Sequence, residues 1–381
     1  MARDRFFNGK KSAKITITFA DRNGESSPCA CSAAKACKNQ PSQTRGWGAM
    51  TRVVLHIGMH KTASTYIQKR LDANQPLLKQ HGIRFDDDSK NLLKHAARKN
   101  DFGPWNTRLQ QARKWNADLL ISSEVLSHLL TEPCNKRVGD CIGDWLIRQF
   151  QRRDCRIILV AFLRDQPGFL NSHYAQLVRN FSLRCSFETY AESVMQHRHA
   201  RGECNPDYLF SWIQRYSSIK AHFVPYGGRS GDDPFQQLLQ TFGVPTAANW
   251  RSIPPENSQA GRLAVATSIR VQERLEALGI QLSSKAARRQ ATHALLRRSR
   301  RYRWFRDRFN GLTPELYQRI REHYGAVNER FAQRVWGGSS WTALFPDDPP
   351  TTQKPLGTLK RWWVEWESQD LARQLATRNQ R

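Results

Sequence analysis

Residues 55–68 read LHIGMHKTASTYIQ, and their arrangement decides the fold. The run at 52–57 is short and mostly apolar, as expected for a strand buried on both faces. Gly58 opens a tight loop carrying Lys61, and Thr62, Ser64 and Thr65 then open a helix. The first turn of a helix exposes N–H groups without intrahelical partners, and the dipole adds positive potential there, so such termini hold phosphates. A lysine adds formal charge, and hydroxyls add donors. The stretch therefore reads as a phosphate loop between a strand and a helix. It is not the Walker form, which places a second glycine directly before the lysine; here that residue is His60. The plainer alternative is an ordinary strand-to-helix turn with a solvated lysine.

Outward from this loop the chain alternates strands and helices. Further strands are expected at 82–85, 117–122, 155–163 (CRIILVAFL) and 222–225, with helices over 64–79, 138–152 and 167–180. That alternation predicts an α/β fold of βαβ units around a parallel sheet. After residue 249 the strands stop, and amphipathic helices are expected over 262–278 and 314–333, giving a mainly helical C-terminal part. The end, 358–381, reads as an exposed helix prone to fraying.

The chain has 381 residues, 60 Lys and Arg against 33 Asp and Glu, and a net charge of +27, which predicts anionic partners. No run of about 18 apolar residues exists to span a membrane. The N-terminus carries charges where a secretion signal needs an apolar stretch, so a cytoplasmic protein is expected. Eight scattered cysteines fit reduced thiols; Cys29, Cys31 and Cys37 cluster, but without the spacing of a metal site, so no metal is expected. Residues 1–49 differ in composition from the rest, with 9 basic and 3 acidic residues and one β-like run at 14–19. They read as a disordered extension, with Met50 a plausible true start. The domain is expected over 50–345 and a tail over 346–381. The run 285–308 holds ten Lys or Arg and one acid, interleaved with Tyr302, Trp304 and Phe305. It reads either as an anion-binding surface or as a solvated helix whose aromatics pack inward.

A second motif joins the first. The strand at 155–163 ends in Arg164, and Ser172 follows eight residues later, in LVAFLRDQPGFLNSHYAQLVR. A strand–KTxTT–helix loop paired with Arg and Ser at this spacing resembles the sulfotransferases that use 3′-phosphoadenylyl sulfate (PAPS). The segments LLISSEVL, SFETYAESV, FVPYGG, PPENSQAG and YGAVNERFAQRV fall in the order of the bacterial carbohydrate-type branch, covering about 50–345. Two positions depart from the family pattern: His60 stands for the usual proline and Ala63 for the usual glycine. At position 63 the backbone must therefore avoid positive φ or accept strain.

The resemblance implies a P-loop kinase-like core with a five-stranded parallel sheet and PAPS across the carboxyl ends of the strands. It implies that Lys61, Thr62, Ala63, Ser64 and Thr65 cradle the 5′-phosphosulfate. Tyr66 would lie near the adenine, and Arg164 and Ser172 would hold the 3′-phosphate. The implied reaction moves a sulfuryl group to an acceptor hydroxyl or amine, leaving PAP and needing no metal. Lys61 would stabilise charge on the leaving phosphate. Glu124, just after the strand at 117–122, is the first candidate for the base, with burial raising its pKa; His60 and His128 compete. His173 and Tyr174 face either an acceptor pocket or the core, Asn257 and Ser258 lie in a loop near the cofactor, and Tyr226 ends a strand. The acceptor is unread; a glycan or lipid suits the charge, as does contact with a membrane surface, and nucleic acid is not expected. The competing readings are a P-loop nucleotide kinase, which needs an Asp for Mg²⁺ where only Asp165 is near, and a basic nucleic-acid-binding protein.

Overall fold

The structure is a computed structural model that describes residues 50–88, 91–132, 141–196, 204–227, 232–241, 243–245, 249–254 and 260–379. The expectations for 1–49, and those for Asn257 and Ser258, lie outside the described residues.

The N-terminal half alternates as β1 (Thr51–His56), α1 (Ser64–Ala73), α2 (Gln75–Gln80), β2 (Ile83–Asp86), α3 (Leu92–Arg98), α4 (Gly103–Lys114), β3 (Asp118–Ser122), α5 (Leu126–Leu129) and α6 (Ile142–Gln151). It continues through β4 (Cys155–Leu163), α7 (Gln166–Arg179), α8 (Phe187–Gln196), α9 (Pro206–Ile213), β5 (Ile219–Pro225) and α10 (Pro234–Thr241). The remainder is helical: α11 (Arg262–Ala277), α12 (Lys285–Arg301), α13 (Pro314–Val335), α14 (Trp341–Leu344) and α15 (Thr358–Asn379).

The five strands form one parallel sheet in the order β2-β3-β1-β4-β5. The expected α/β class and helical C-terminal part are what the chain adopts. The pleat divides the core. Val53, Leu55, Leu119, Ile121, Ile157 and Leu159 face one way, against Leu109, Leu146, Phe150 and Phe331. Val54, Leu120, Ile158, Val160 and Phe162 face the other, against Ile67, Leu71 and Phe235. Alternate residues point to opposite faces, and both faces are covered, so the strands read as continuous apolar runs.

The chain leaves β1 toward β2 on one side and leaves β4 toward β5 on the other. Adjacent strands whose connections diverge leave a crevice beyond their carboxyl ends, where open α/β sheets bind ligands. The loop with Lys61 follows β1, and Arg164 follows β4, so both motifs open into this crevice.

Two expectations need correction. The single helix expected over 64–79 is two, α1 and α2. Pro76 in the first turn of α2 has no N–H to continue the ladder. Asn74 fills the break, donating to the carbonyls of Arg70 (2.7 Å) and Arg251 (3.0 Å) and accepting from the Arg251 amide (2.7 Å). Nor is α15 an exposed, fraying helix. Val364, Leu371, Ala372 and Leu375 are buried with Leu263, Val271 and Leu295, and Arg298 of α12 pairs with its Glu367 and Asp370.

The basic run resolves toward the inward-packed reading. Ala291, Ala294 and Leu295 are buried on α12, Trp304 is buried, and Tyr302 and Trp304 pack on Trp363 of α15 at 5.0 and 6.0 Å. Among the described residues, no helix is long and apolar enough to cross a membrane. Cys141, Cys155, Cys185 and Cys204 are free thiols.

Candidate functional site

The loop after β1 is held by β4. Past the end of the strand, the Ile57 and Met59 amides donate to the carbonyls of Val160 (3.0 Å) and Phe162 (3.1 Å), and the Phe162 amide donates to Gly58 (2.6 Å). Gly58 has φ +89°, and a Cβ there would sit 3.2 Å from Cα of Glu124. Glycine is required twice over, for its conformation and for the close approach of the turn after β3.

Lys61 and Ala63 both have left-handed backbones, with φ 66° and 60°. The position where the family pattern carries glycine therefore keeps the glycine conformation and accepts the strain, roughly 1–2 kcal/mol for an L-residue. Ala63 is the N-cap of α1, and no side chain caps that helix. Its first-turn amides and dipole end thus lie at the crevice without a capping side chain among the described residues.

The hydroxyls behave differently from expectation. Those of Thr62 and Ser64 donate back to the Met59 carbonyl, at 2.5 and 3.4 Å, so they brace the loop from inside. Thr65 is exposed in the first turn. Tyr66 lies on the flank of α1 toward α10. Its hydroxyl donates to Asp233 (3.3 Å) and accepts from Arg70 (2.7 Å), and Arg70 pairs with the same Asp233.

The Lys61 ammonium donates to Oε1 of Gln176 at 3.1 Å. Burial, then the charges of Arg179 and Arg164, lower its pKa to about 8, against a smaller opposing pull from Glu124. Arg164 donates from Nη1 to the Lys61 carbonyl at 3.2 Å. Burial lowers its pKa too; Tyr226 and Asp165 act the other way, and Arg308 adds a like charge. A Cβ on Gly168 would sit 3.1 Å from Nε of Arg164, so α7 passes directly behind the guanidinium. Gly168, Ser172 and Gln176 are successive i, i+4 positions on one face of α7. That face carries Arg164 at one end and Lys61 at the other, with buried Ser172 between.

Glu124 stands in the turn after β3, where its Oε2 meets Nδ1 of His60 at 2.7 Å. Burial pushes its carboxyl up, but the hydrogen bond and charge of His60, with the charge of Lys61, outweigh it and hold the pKa below the usual carboxylate range. The expected rise is thus reversed, because burial here comes with cationic or ionisable neighbours. His128 is exposed one turn on, its ring 5.3 Å from His60. At the end of β1, fully buried His56 bonds Ser122 Oγ through Nδ1 at 2.7 Å and is held neutral by burial, its pKa about 4.

The neighbours of Ser172 are sorted as well. Tyr174 belongs to the core, its hydroxyl on the Cys185 carbonyl at 2.8 Å. His173 stacks on Phe169 and bonds the Tyr190 hydroxyl at 2.7 Å. Asn171 clamps the segment after Arg308, donating to Phe309 O (3.2 Å) and accepting from Gly311 N (2.9 Å). Asp165 is engaged by Trp341 (2.9 Å) and Arg321 (3.0 Å).

Sequence reasoning brought Lys61, Glu124, Arg164 and Ser172 to one edge. It missed Gln176 and Arg179, and it did not bring Arg308 to this site. Gln176 was accessible one helical turn beyond Ser172; Arg308 stood in the basic run 285–308, but nothing local placed it at this edge, because the Gly261–Arg308 bridge that carries it is long-range. No protein-family model, curated protein or solved structure matches the chain.

Proposed function

We propose that the protein is a sulfotransferase that takes a sulfuryl group from PAPS and passes it to an acceptor hydroxyl or amine. The observation that carries this reading is the half-buried cluster of positive charge at the switch point. Lys61 is held down to about 8 by burial together with Arg179 and Arg164, and Arg164 is itself crowded by Arg308. Like charges gathered at the first turn of an uncapped helix are a standing cost that an anion relieves. A nucleotide with phosphate groups at both 5′ and 3′ positions offers two anionic ends. The chain offers two cationic foci, the loop after β1 and the turn after β4, so the residues fit the group.

When bound, PAPS supplies an activated sulfuryl group. Lys61 would then sit at the phosphate that becomes the leaving group, and its ammonium stabilises most where negative charge grows. Gln176 holds that ammonium in place. Arg164 offers a planar, two-pronged donor for the 3′-phosphate, with Ser172 on the adjoining helical face. Glu124 is ionised at neutral pH. With Oε2 on His60, it presents Oε1 to accept the acceptor proton, and His60 fixes its orientation.

The kinase reading is weaker because Asp165, its candidate for Mg²⁺, is already tied to Arg321 and Trp341. The nucleic-acid reading is weaker because the aromatics of the basic run pack inward. A thermal-shift comparison separates the three. PAP should raise the melting temperature at micromolar concentration, with ATP plus Mg²⁺ and an oligonucleotide much less effective. A larger rise with either of those than with PAP rejects the proposal.

A further inference from the structure

One helix of this fold has two apolar faces. The inner face of α15 packs Val364, Leu371, Ala372 and Leu375 against α11 and α12. On the opposite side, Leu359, Trp362 and Trp366 are 84%, 67% and 51% exposed. Their spacing of three and four residues aligns them along one stripe, which continues through exposed Arg373. A folded chain seldom leaves two tryptophans and a leucine side by side in water, so a contiguous stripe of this kind marks a contact surface.

The rim identifies the partner. Lys360 and Arg361 are exposed on α15 itself. The end of α12 rests on α15 through Tyr302 and Trp363 (5.0 Å), which brings exposed Arg300, Arg301 and Arg303 alongside. Tryptophan settles at the boundary between headgroups and acyl chains, and cations beside it pair with anionic headgroups. We infer that the outer face of α15 docks on an anionic lipid bilayer, with Leu359, Trp362 and Trp366 entering the interface and the flanking arginines holding headgroups. A second copy of the chain fits this face less well, because a net charge of +27 sets cationic rim against cationic rim. A nucleic acid fits less well because aliphatic Leu359 has no π-face to stack.

The location gives docking a consequence. Lys360 donates to Asp307 at 2.9 Å, and Gln353 donates to the Arg308 carbonyl at 2.9 Å. The start of α15 is thereby tied to the segment whose Arg308 lies beside Arg164. Docking through α15 brings that edge of the protein to the membrane.

Vesicle co-sedimentation of the full chain tests this without any dependence on PAP. Vesicles with 30% phosphatidylserine should bind the protein, phosphatidylcholine vesicles should bind it at least about tenfold less, and 0.5 M salt should weaken the binding. The double variant Trp362→Ala/Trp366→Ala should lose at least about tenfold in affinity for the anionic vesicles. Both side chains are exposed, so its melting temperature should match the wild type. In the wild type, brominated lipid should quench tryptophan emission, and Trp362→Phe/Trp366→Phe should remove that quenching. The proposal is overturned by absence of binding to anionic vesicles or by binding that survives the double alanine variant. It is equally overturned if light scattering shows a dimer that the double variant abolishes, or if an oligonucleotide, and no vesicle, is retained through these tryptophans.

Discussion

The guanidinium of Arg164 donates to the main-chain carbonyl of Lys61 at 3.2 Å. These residues are the ends of two separate sequence motifs, one after β1 and one after β4, and a direct hydrogen bond joins them. The link fixes the distance between the two cationic foci before any ligand arrives. It also restrains the loop at a residue with a left-handed backbone, φ 66°. Preorganisation of this kind lowers the ordering cost of binding.

The strain at Ala63 has a direct test. Its φ of 60° suits glycine. Ala63→Gly relieves roughly 1–2 kcal/mol of steric cost, partly offset by greater freedom in the unfolded chain. Chemical denaturation should show a net gain of about 0.5–1 kcal/mol. A loss of stability means that the alanine methyl makes contacts worth more than its strain.

Gly168 separates binding from stability. It lies within α7, so alanine should raise helix stability by up to ~1 kcal/mol. Its Cβ would sit 3.1 Å from Nε of Arg164 and must push the guanidinium aside. Gly168→Ala should therefore keep or raise the melting temperature while weakening PAP binding by about threefold to tenfold. Equal affinity in the two proteins means that Arg164 does not need its present position.

Proton linkage follows from Lys61. Its pKa is lowered from the ordinary 10.5 to about 8, so near pH 8 about half of the unliganded sites are neutral. A bound phosphate favours the ammonium, so PAP binding near pH 8 should take up to about half a proton. At pH 6.5 Lys61 is already charged and contributes no uptake. Calorimetry at pH 8 in buffers of different ionisation enthalpy measures this directly. Apparent enthalpies independent of buffer, or proton release, contradict the assignment. In the absence of ligand the same shift makes stability rise with pH between about 8 and 10.5, where the unfolded chain holds more protons.

The base is tested through the pair. Glu124→Gln keeps the shape and removes the carboxylate, so kcat should fall by about 10²–10⁴-fold with PAP affinity nearly unchanged. His60→Ala should cost less than Glu124→Gln, and the double variant little more than Glu124→Gln alone, because His60 acts through Glu124. Since the carboxyl is held below the usual range, the acid limb of kcat should begin below the ordinary carboxylate region. An acid limb between pH 6 and 7, with His60→Ala the most damaging change, moves the role to the histidine.

Much of this was legible in the chain. The strand 155–163 was readable to the residue, because eight of its nine positions are buried, Arg156 alone being exposed, and seven of them run without a break from Ile157 to Leu163. Lys61 and Arg164 were legible in place because each follows closely on an apolar strand whose end the sequence marks. What sequence could not supply was the sign of a balance. Burial of Glu124 was foreseeable; that His60 and Lys61 would converge on it was not, because the convergence depends on the register of β1 against β3. The break at Asn74 had a local signal in Pro76; what the chain did not show was that Arg251, far along it, completes the hydrogen bonds of Asn74. The packing of α15 was hidden because its tryptophans occupy both faces, which erases the amphipathic pattern that marks a docked helix.

The central claim is that the two motifs bind one nucleotide carrying phosphate groups at its 5′ and 3′ positions. Titrating PAP into wild type, Lys61→Ala and Arg164→Ala tests it most directly, with 5′-AMP, which lacks the 3′-phosphate, in parallel. Each variant should lose about 1.5–3 kcal/mol of PAP affinity, the worth of a hydrogen bond to a charged group. Arg164→Ala should lose less affinity for 5′-AMP than for PAP, since the 3′-phosphate it contacts is missing from that ligand while its bond to the Lys61 carbonyl is lost in both cases. PAP affinity unchanged in both variants, or 5′-AMP binding as tightly as PAP to the wild type, contradicts the account.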